Sequence, residues 1–222
     1  MLTEEDISCI RKKKVDLINN FMEKTVYFRA FEPDDALLIH EWKNSDEVNE
    51  LTVGLNKKTT IEEDQQWVNS HKDHHPYYAY WAICARDTGD MIGYASLINI
   101  HYINRSAEFG GLIIGDKRYH DGFAWIESYL FVYEYAFERL GLNRVYGVRL
   151  AEHKQTKAIG MAMYSQTEGI LRQAAYKNGK YHDMAMGALL SQDYYEHKEK
   201  GDYEIPAIIR RIKKIKKELD EK

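Results

Sequence analysis

The dipeptide Asn178-Gly179 stands between two strand-like runs, residues 169–177 and 181–190, and it constrains the chain more than any other short feature. Both residue types accept a positive φ, so a two-residue hairpin turn follows and the flanking runs pair antiparallel. The polar turn Asp87-Thr88-Gly89-Asp90 does the same for residues 78–85 and 91–100. A sheet with antiparallel strands is therefore expected, with further strands over 24–30, 107–114 and 144–150.

Helices interleave with these strands. Pro33, Asp34 and Asp35 open one that carries Trp42. Thr60-Ile61-Glu62-Glu63 is a capping box: a hydroxyl and a glutamate three residues on satisfy each other's free backbone amides, and the helix runs toward Lys72. A long helix is expected over 122–140, stopped by Gly141 in the position a C-cap prefers, and a weaker one over 154–163. At the N-terminus, Ile7, Ile10, Leu17, Ile18 and Phe21 share a helical face. At the C-terminus, Ile205, Ile208, Ile209, Ile212, Ile215 and Leu219 form an apolar stripe on a helix with seven basic and three acidic residues. That stripe docks on the body of the protein or on a second subunit, and a homodimer through the terminal helices is the expected assembly. The fold class is mixed α/β, α+β-like: a central, mostly antiparallel twisted sheet flanked by helices. The expected units are an appended helix at 1–24, a body at 25–198 and a basic amphipathic helix at 199–222.

Composition narrows the function classes. With 222 residues, 44% hydrophobic and 30% charged, the chain is of ordinary globular type. Its net charge of −4 gives no global attraction to nucleic acid or an anionic membrane, so neither is expected as a partner. Cys9 and Cys84 form no metal-type or redox-type spacing, which fits a reducing compartment, and no signal-peptide pattern or membrane-spanning run is present; a cytoplasmic location is expected. His71, His74 and His75 lack the carboxylate or thiolate that would complete a metal site. The 17 tyrosines are unusual.

The stretch from Ala107 to Trp125 carries the chemistry. It reads as a strand, a polar loop with Gly122 at the turn, and a long helix, an arrangement that offers free amides and a positive helix end to a phosphate or pyrophosphate. Gly122 admits a close ligand and Ala124 leaves the first turn uncrowded.

The strand Ala107-Glu108-Phe109-Gly110 followed by Tyr119-x-x-Gly122-x-Ala124 resembles the GCN5-related N-acetyltransferase (GNAT) superfamily. Its ribosomal-protein N-terminal and amino-sugar acetyltransferase branch is the nearest in pattern. Glu41-Trp42-Lys43-Asn44, Gln66-Trp67, Met91-Ile92-Gly93-Tyr94, Asn104 to Glu108, Glu168 to Arg172 and Lys177 to Asp183 extend the likeness over about residues 25–195. The resemblance implies acetyl-coenzyme A as co-substrate and no metal. It places backbone groups of Leu112, Ile113 and Ile114 on the pantetheine arm, and amides from Tyr119 through His120, Asp121, Gly122 and Phe123 to Ala124 on the pyrophosphate. Glu108 reads equally as the base, direct or through a water, that takes the amine proton and as a strand-start carboxylate paired with Arg105 or a neighbouring Lys. Trp42 and Asn44 border the acceptor pocket in the family.

Several positions depart from the family pattern. Tyr119 replaces the usual Arg or Gln, and Asp121 repels a pyrophosphate, with Lys117 and Arg118 as compensating cations. His153 stands at the usual Asn, and Gly160 where a Tyr often protonates the thiolate. Tyr164, one helical turn on, substitutes for that acid only if the helix shifts. The resemblance implies an N-acetyltransferase acting on a small-molecule primary amine, an amino sugar before a protein N-terminus. A coenzyme A-binding module with impaired catalysis is the alternative.

Overall fold

The computed structural model describes residues 25–52, 58–73, 75–120 and 122–221. The expected helix over 1–24, with Cys9, lies outside the described residues, as do His74 and Asp121. Seven strands form one sheet: β1 (Val26–Arg29), β2 (Ala79–Ala85), β3 (Met91–His101), β4 (Ser106–Ile114), β5 (Arg144–Leu150), β6 (Gln166–Lys177) and β7 (Lys180–Leu190). Their order is β1-β2-β3-β4-β5-β7-β6, and every neighbouring pair is antiparallel except β4 and β5. Seven helices flank it among the described residues: α1 (Asp35–Lys43), α2 (Asp46–Leu51), α3 (Ile61–His71), α4 (Phe123–Glu134), α5 (Lys154–Ala162), α6 (Ser191–Glu199) and α7 (Ile205–Asp220).

Local chemistry explains the elements that the sequence announces. Asn178 and Gly179 have φ of 50° and 78°, the double left-handed turn that matches strand twist, and Lys177 pairs with Lys180 across it. Thr60 accepts the Glu63 amide at 3.2 Å while the Glu63 carboxylate accepts the Thr60 amide at 2.9 Å, which closes the capping box that starts α3. Two helices were not expected. α2 (DEVNEL) and α6 (SQDYYEHKE) are too polar to show an apolar stripe, and neither depends on one to be placed. The expected helix over 122–140 is corrected too: α4 ends at Glu134, and Tyr135–Arg139 widens into a π-helical turn before Gly141 at φ 61°. The expected boundary at 198/199 falls inside α6.

One face of the sheet is covered by α4, whose Val132 and Tyr133, followed by Phe137, join Ile83, Ala95, Ala107 and Val145 in the larger core. Rings run along this helix: Phe109 to Tyr129 at 4.3 Å, Tyr129 to Tyr133 at 5.0 Å, Tyr133 to Phe137 at 5.8 Å. Several of the surplus tyrosines are core residues here. The opposite face holds α1 and α3, with Phe31, Ile39, Trp42 and Val68 against Ala82, Cys84 and Tyr94. Buried Glu127 of α4 accepts the Thr25 and Val26 amides at 2.8 and 3.0 Å and so fastens β1 to that helix.

α7 packs the first part of its stripe inside its own chain. Ile208 is fully buried in the larger core, and Ile205, Ile209 and Ile212 pack around it. Burying Ile208 alone contributes about 1.5–3 kcal/mol. Arg211 Nε donates to Ala162 O at 3.0 Å at the last turn of α5, and Asp220 meets Lys154 at its first, so α7 runs antiparallel along α5.

Candidate active site

β4 and β5 share only three rungs, Ser106 with Arg144, Ala107 with Val145 and Glu108 with Tyr146. Beyond them β4 stays with β3 as far as Ile114, and β5 stays with β7 as far as Leu150, so the two parallel strands part. The cause is a bulge: Ser96 faces Gly111 and Leu97 faces Phe109, with Gly110 left over and Gly111 at φ 145°. A Cβ at Gly110 would come within 2.7 Å of Ser96 Oγ. Past Glu108, the β4 backbone through Leu112, Ile113 and Ile114 has no β5 partner, which is what an inserted extended ligand requires. Leu112 and Ile114 side chains pack toward α4, and Ile113 toward α1 and α3.

The loop after β4 leads to α4. Gly122 starts that helix at φ 94° and brings no capping side chain, so the positive helix end around Ala124 attracts an anion. The Tyr119 and His120 amides expected for the same anion instead donate to Asp116 O at 3.1 Å and Lys117 O at 3.3 Å, because Lys117–Tyr119 closes into a 3-10 turn. The cations expected to compensate for Asp121 are committed elsewhere. Lys117 pairs with Glu47 at 2.7 Å, and Arg118 with Asp116 at 2.6 Å and Asp90 at 3.2 Å. Tyr119 donates its hydroxyl to Asp87 at 2.8 Å, and His120 Nε2 sits 2.9 Å from Ile114 O. These contacts fix the loop to α2 and to the β2–β3 turn. Gly115 has Trp42 directly over it, where a Cβ would overlap the indole.

Glu108 is held differently from either sequence expectation of its surroundings. Arg105 turns away and donates from Nε to Gly141 O at 2.8 Å, which removes the expected Arg105 pairing. Asn99 instead donates to Glu108 Oε2 at 2.8 Å, from a left-handed backbone at φ 51° where β3 slips register. No cation neutralises Glu108 among the described residues. Ala107 and Val145 belong to the α4-side core, so Glu108 and Tyr146 project together on the opposite face, the one that carries α1 to α3. Burial, reinforced by the Glu108 charge, raises the Tyr146 phenol above its ordinary value, while Arg144 and Asn99 pull it down. Sequence reasoning missed Asn99 and Tyr146, because both read as ordinary strand positions.

The other expected residues lie apart from this cluster. Tyr164 follows α5 at φ 63°, stacks on His197 at 3.3 Å and has Arg211 4.6 Å from its ring; burial raises its phenol. It lines a cavity of about 540 Å³ with Arg149, Lys157, Thr167 and Ile170, on the α5–β6 flank of the sheet and not at Glu108. His153 caps α5, its Nδ1 accepting the Thr156 amide at 3.3 Å. Asn44 is consumed by the chain: its Nδ2 donates to His40 O at 2.9 Å and to Thr59 O at 3.2 Å, and its Oδ1 accepts the Thr59 amide at 3.0 Å. No cluster of three or more metal-binding side chains is present among the described residues, and none of their helices is long and apolar enough to cross a membrane.

Known proteins resemble this chain in sequence and fold. The uncharacterized N-acetyltransferase YoaA of Bacillus subtilis is 35% identical over 103 residues, 46% of this chain and 57% of that one, so this chain spans little more than half of that relative. Spermidine N(1)-acetyltransferase of Vibrio cholerae is 26% identical over 181 residues, 80% of this chain and 100% of the relative. The crystal structure of spermidine N-acetyltransferase from Vibrio cholerae in complex with CoA and spermine matches with a TM-score of 0.70 at 25% identity, covering 78% of this chain and 99% of that one. Residues 25–163 match the family model described as the acetyltransferase (GNAT) domain, and the chain belongs to that family.

Proposed function

We propose that this chain is an acetyl-coenzyme A-dependent N-acetyltransferase acting on a small primary amine. The observation that carries the reading is the parting of β4 from β5 immediately beyond a carboxylate, Glu108, that no cation among the described residues neutralises. The coenzyme would supply an acetyl thioester. The free β4 edge at Leu112 to Ile114 would hold its extended arm, and the positive N-terminal end of α4 at Gly122 and Ala124 its pyrophosphate. His153, at the head of α5, would border that arm. Glu108 takes the proton that a primary amine must lose before its nitrogen can attack.

The acceptor approaches from the face that carries α1 to α3. Lys177 of β6 donates to the carbonyls of Glu50 and Thr52, so the β6–β7 hairpin and the end of α2 are fastened together on that side. Trp42 and Asn44 shape it from below by fixing Gly115 and Thr59. Asp46 and Glu50 of α2 carry no ion pair among the described residues, which favours an acceptor with more than one positive charge. Vibrio cholerae spermidine N(1)-acetyltransferase acts on such an amine, and we extend that class to this chain. The amino sugar expected from the sequence is the competing acceptor.

One panel separates them. Thiol release from acetyl-coenzyme A is measured with spermidine, spermine, free and nucleotide-linked amino sugars and an N-terminal peptide. The expected result is the highest kcat/KM on a polyamine. A higher value on an amino sugar overturns the acceptor class. Calorimetric coenzyme binding without turnover on any amine overturns the enzyme reading in favour of a binding module.

A further inference from the structure

We infer that Tyr146 is the proton donor of this site, its phenol delivering a proton to the sulfur that departs as the amide forms. The inference rests on the acetyltransferase reading above. At position 160 in α5 the chain has glycine, which holds no proton, and the neighbouring candidate Tyr164 is wedged between His197 and Arg211 on the flank of the 540 Å³ cavity. Tyr146 has neither handicap.

Its position follows from register. Glu108 and Tyr146 form the last rung before the two strands part, about 4.8 Å apart at the backbone and on the same face. A thioester lying against the free β4 edge would therefore have its reacting carbon just beyond this rung. Glu108 and Tyr146 flank that point from the two strands that open around it. Asn99 reaches from β3 to the Glu108 carboxylate and interacts with the Tyr146 hydroxyl, so three strands contribute one side chain each.

The groups around Tyr146 suit a donor. Glu108 faces it from β4, and on its own strand Arg144 lies 5.7 Å from the ring, though that guanidinium is engaged in a bidentate pair with Glu168. β7 presents only Ala188 opposite it, and β3 only Asn99. Burial and the Glu108 charge both hold the proton on the phenol at neutral pH. In the step itself, Glu108 removes a proton from the ammonium group and releases it to solvent. The nitrogen lone pair forms the new bond to the acetyl carbon, and the carbon–sulfur bond breaks with its electron pair on sulfur. Tyr146 gives that sulfur its phenolic proton, Glu108 takes the second proton that the acylated nitrogen must lose, and that proton passes back to the phenolate. Neither residue ends the cycle changed.

The test uses the full chain in two forms. Tyr146→Phe keeps the ring and its packing, and should lower kcat with acetyl-coenzyme A by about 10²-fold, the low end for losing general acid catalysis, at nearly unchanged KM. With p-nitrophenyl acetate as donor, whose leaving group needs no proton, the variant should match the parent, whereas Glu108→Gln should fall on both donors. The free protein gives a second readout. With fluorotyrosine at position 146, fluorine NMR should show the phenol titrating at lower pH when Glu108 is replaced by Gln. A kcat within about twofold of the parent, an equal loss on both donors, or an unshifted titration overturns the assignment. No turnover by the parent on any amine overturns the acetyltransferase reading, while the titration still reports the Glu108–Tyr146 coupling.

Discussion

Two carboxylates, Asp64 and Glu108, sit at the ends of side-chain clusters on the same face of the sheet, and the molecule treats them in opposite ways. Asp64 of α3 is 1% exposed, with Lys43 Nζ at 3.0 Å, His40 Nδ1 at 2.9 Å and the Thr59 hydroxyl donating at 2.6 Å. Both oxygens are engaged, Oδ1 by Lys43 and Oδ2 by His40 and Thr59, and two potential cations stand against it. Glu108 of β4 is half-buried and, among the described residues, receives a single amide hydrogen bond and no cation. The first arrangement ties α1, the start of α3 and the Asn44–Thr59 pairing into one clamp. The second holds a carboxylate in place and leaves its basicity available. A saturated acid supports the fold, and an oriented but unneutralised one is fit for proton transfer.

Breaking Glu108 should give the largest effect on activity and almost none on stability. Glu108→Gln keeps the shape and the Asn99 contact by amide rotation, so kcat/KM is expected to fall about 10²- to 10⁴-fold, the span for a general base. Differential scanning fluorimetry should show an unchanged Tm. A large loss of stability would place Glu108 in the same class as Asp64 and dissolve the contrast.

Asp64 should invert that outcome. Removing one partner of a buried, charged cluster typically costs about 3–5 kcal/mol, so Asp64→Ala is expected to unfold at markedly lower denaturant, with Asp64→Asn as the milder variant if it does not fold. Burial pushes the Asp64 carboxyl up, yet hydrogen bonds from Thr59, His40 and Lys43 outweigh this and leave it below the usual range. The sign follows: the contribution is present above the unfolded-state value of about 3.9 and is lost as pH falls through the lower folded value. Denaturation midpoints of the parent should therefore fall with acid more steeply than those of Asp64→Asn. Parallel curves would remove the clamp from the account of stability.

What the sequence made legible divides along the same line. The Asn178-Gly179 turn and the Thr60 capping box were readable because each is decided within a few residues, whereas Gly141 marked where the helical path stops but not the π-helical turn that ends α4 at Glu134. The C-terminal stripe was readable as a stripe, but only packing shows that Ile208 turns it inward. The Glu108 cluster could be read only in part. Glu108 carries a family motif, whereas Asn99 and Tyr146 reach it through a bulge in β3 and a three-rung parallel ladder, neither of which leaves a local mark. The expectation for Lys117 and Arg118 failed for the same reason. Their partners Glu47 and Asp90 are 70 and 28 positions away, and no loop chemistry announces them.

The smallest effect expected comes from the clamp's local support. Thr60 lies outside the Asp64 cluster, but its capping box sets where α3 begins and hence where Asp64 falls relative to Lys43 and His40. Thr60→Ala removes one side of the reciprocal cap and should cost about 1 kcal/mol, or roughly 2–4 °C in Tm for a chain of this size. Glu63 keeps its own bond to the residue 60 amide, so the helix start should fray without moving. Activity per folded molecule should then be unchanged, since Glu108 and Tyr146 stand on β4 and β5 and owe their register to the sheet. A fall in kcat at unchanged Tm would mean that the clamp is coupled to the proton-transfer cluster, and the two carboxylates would have to be treated as one unit.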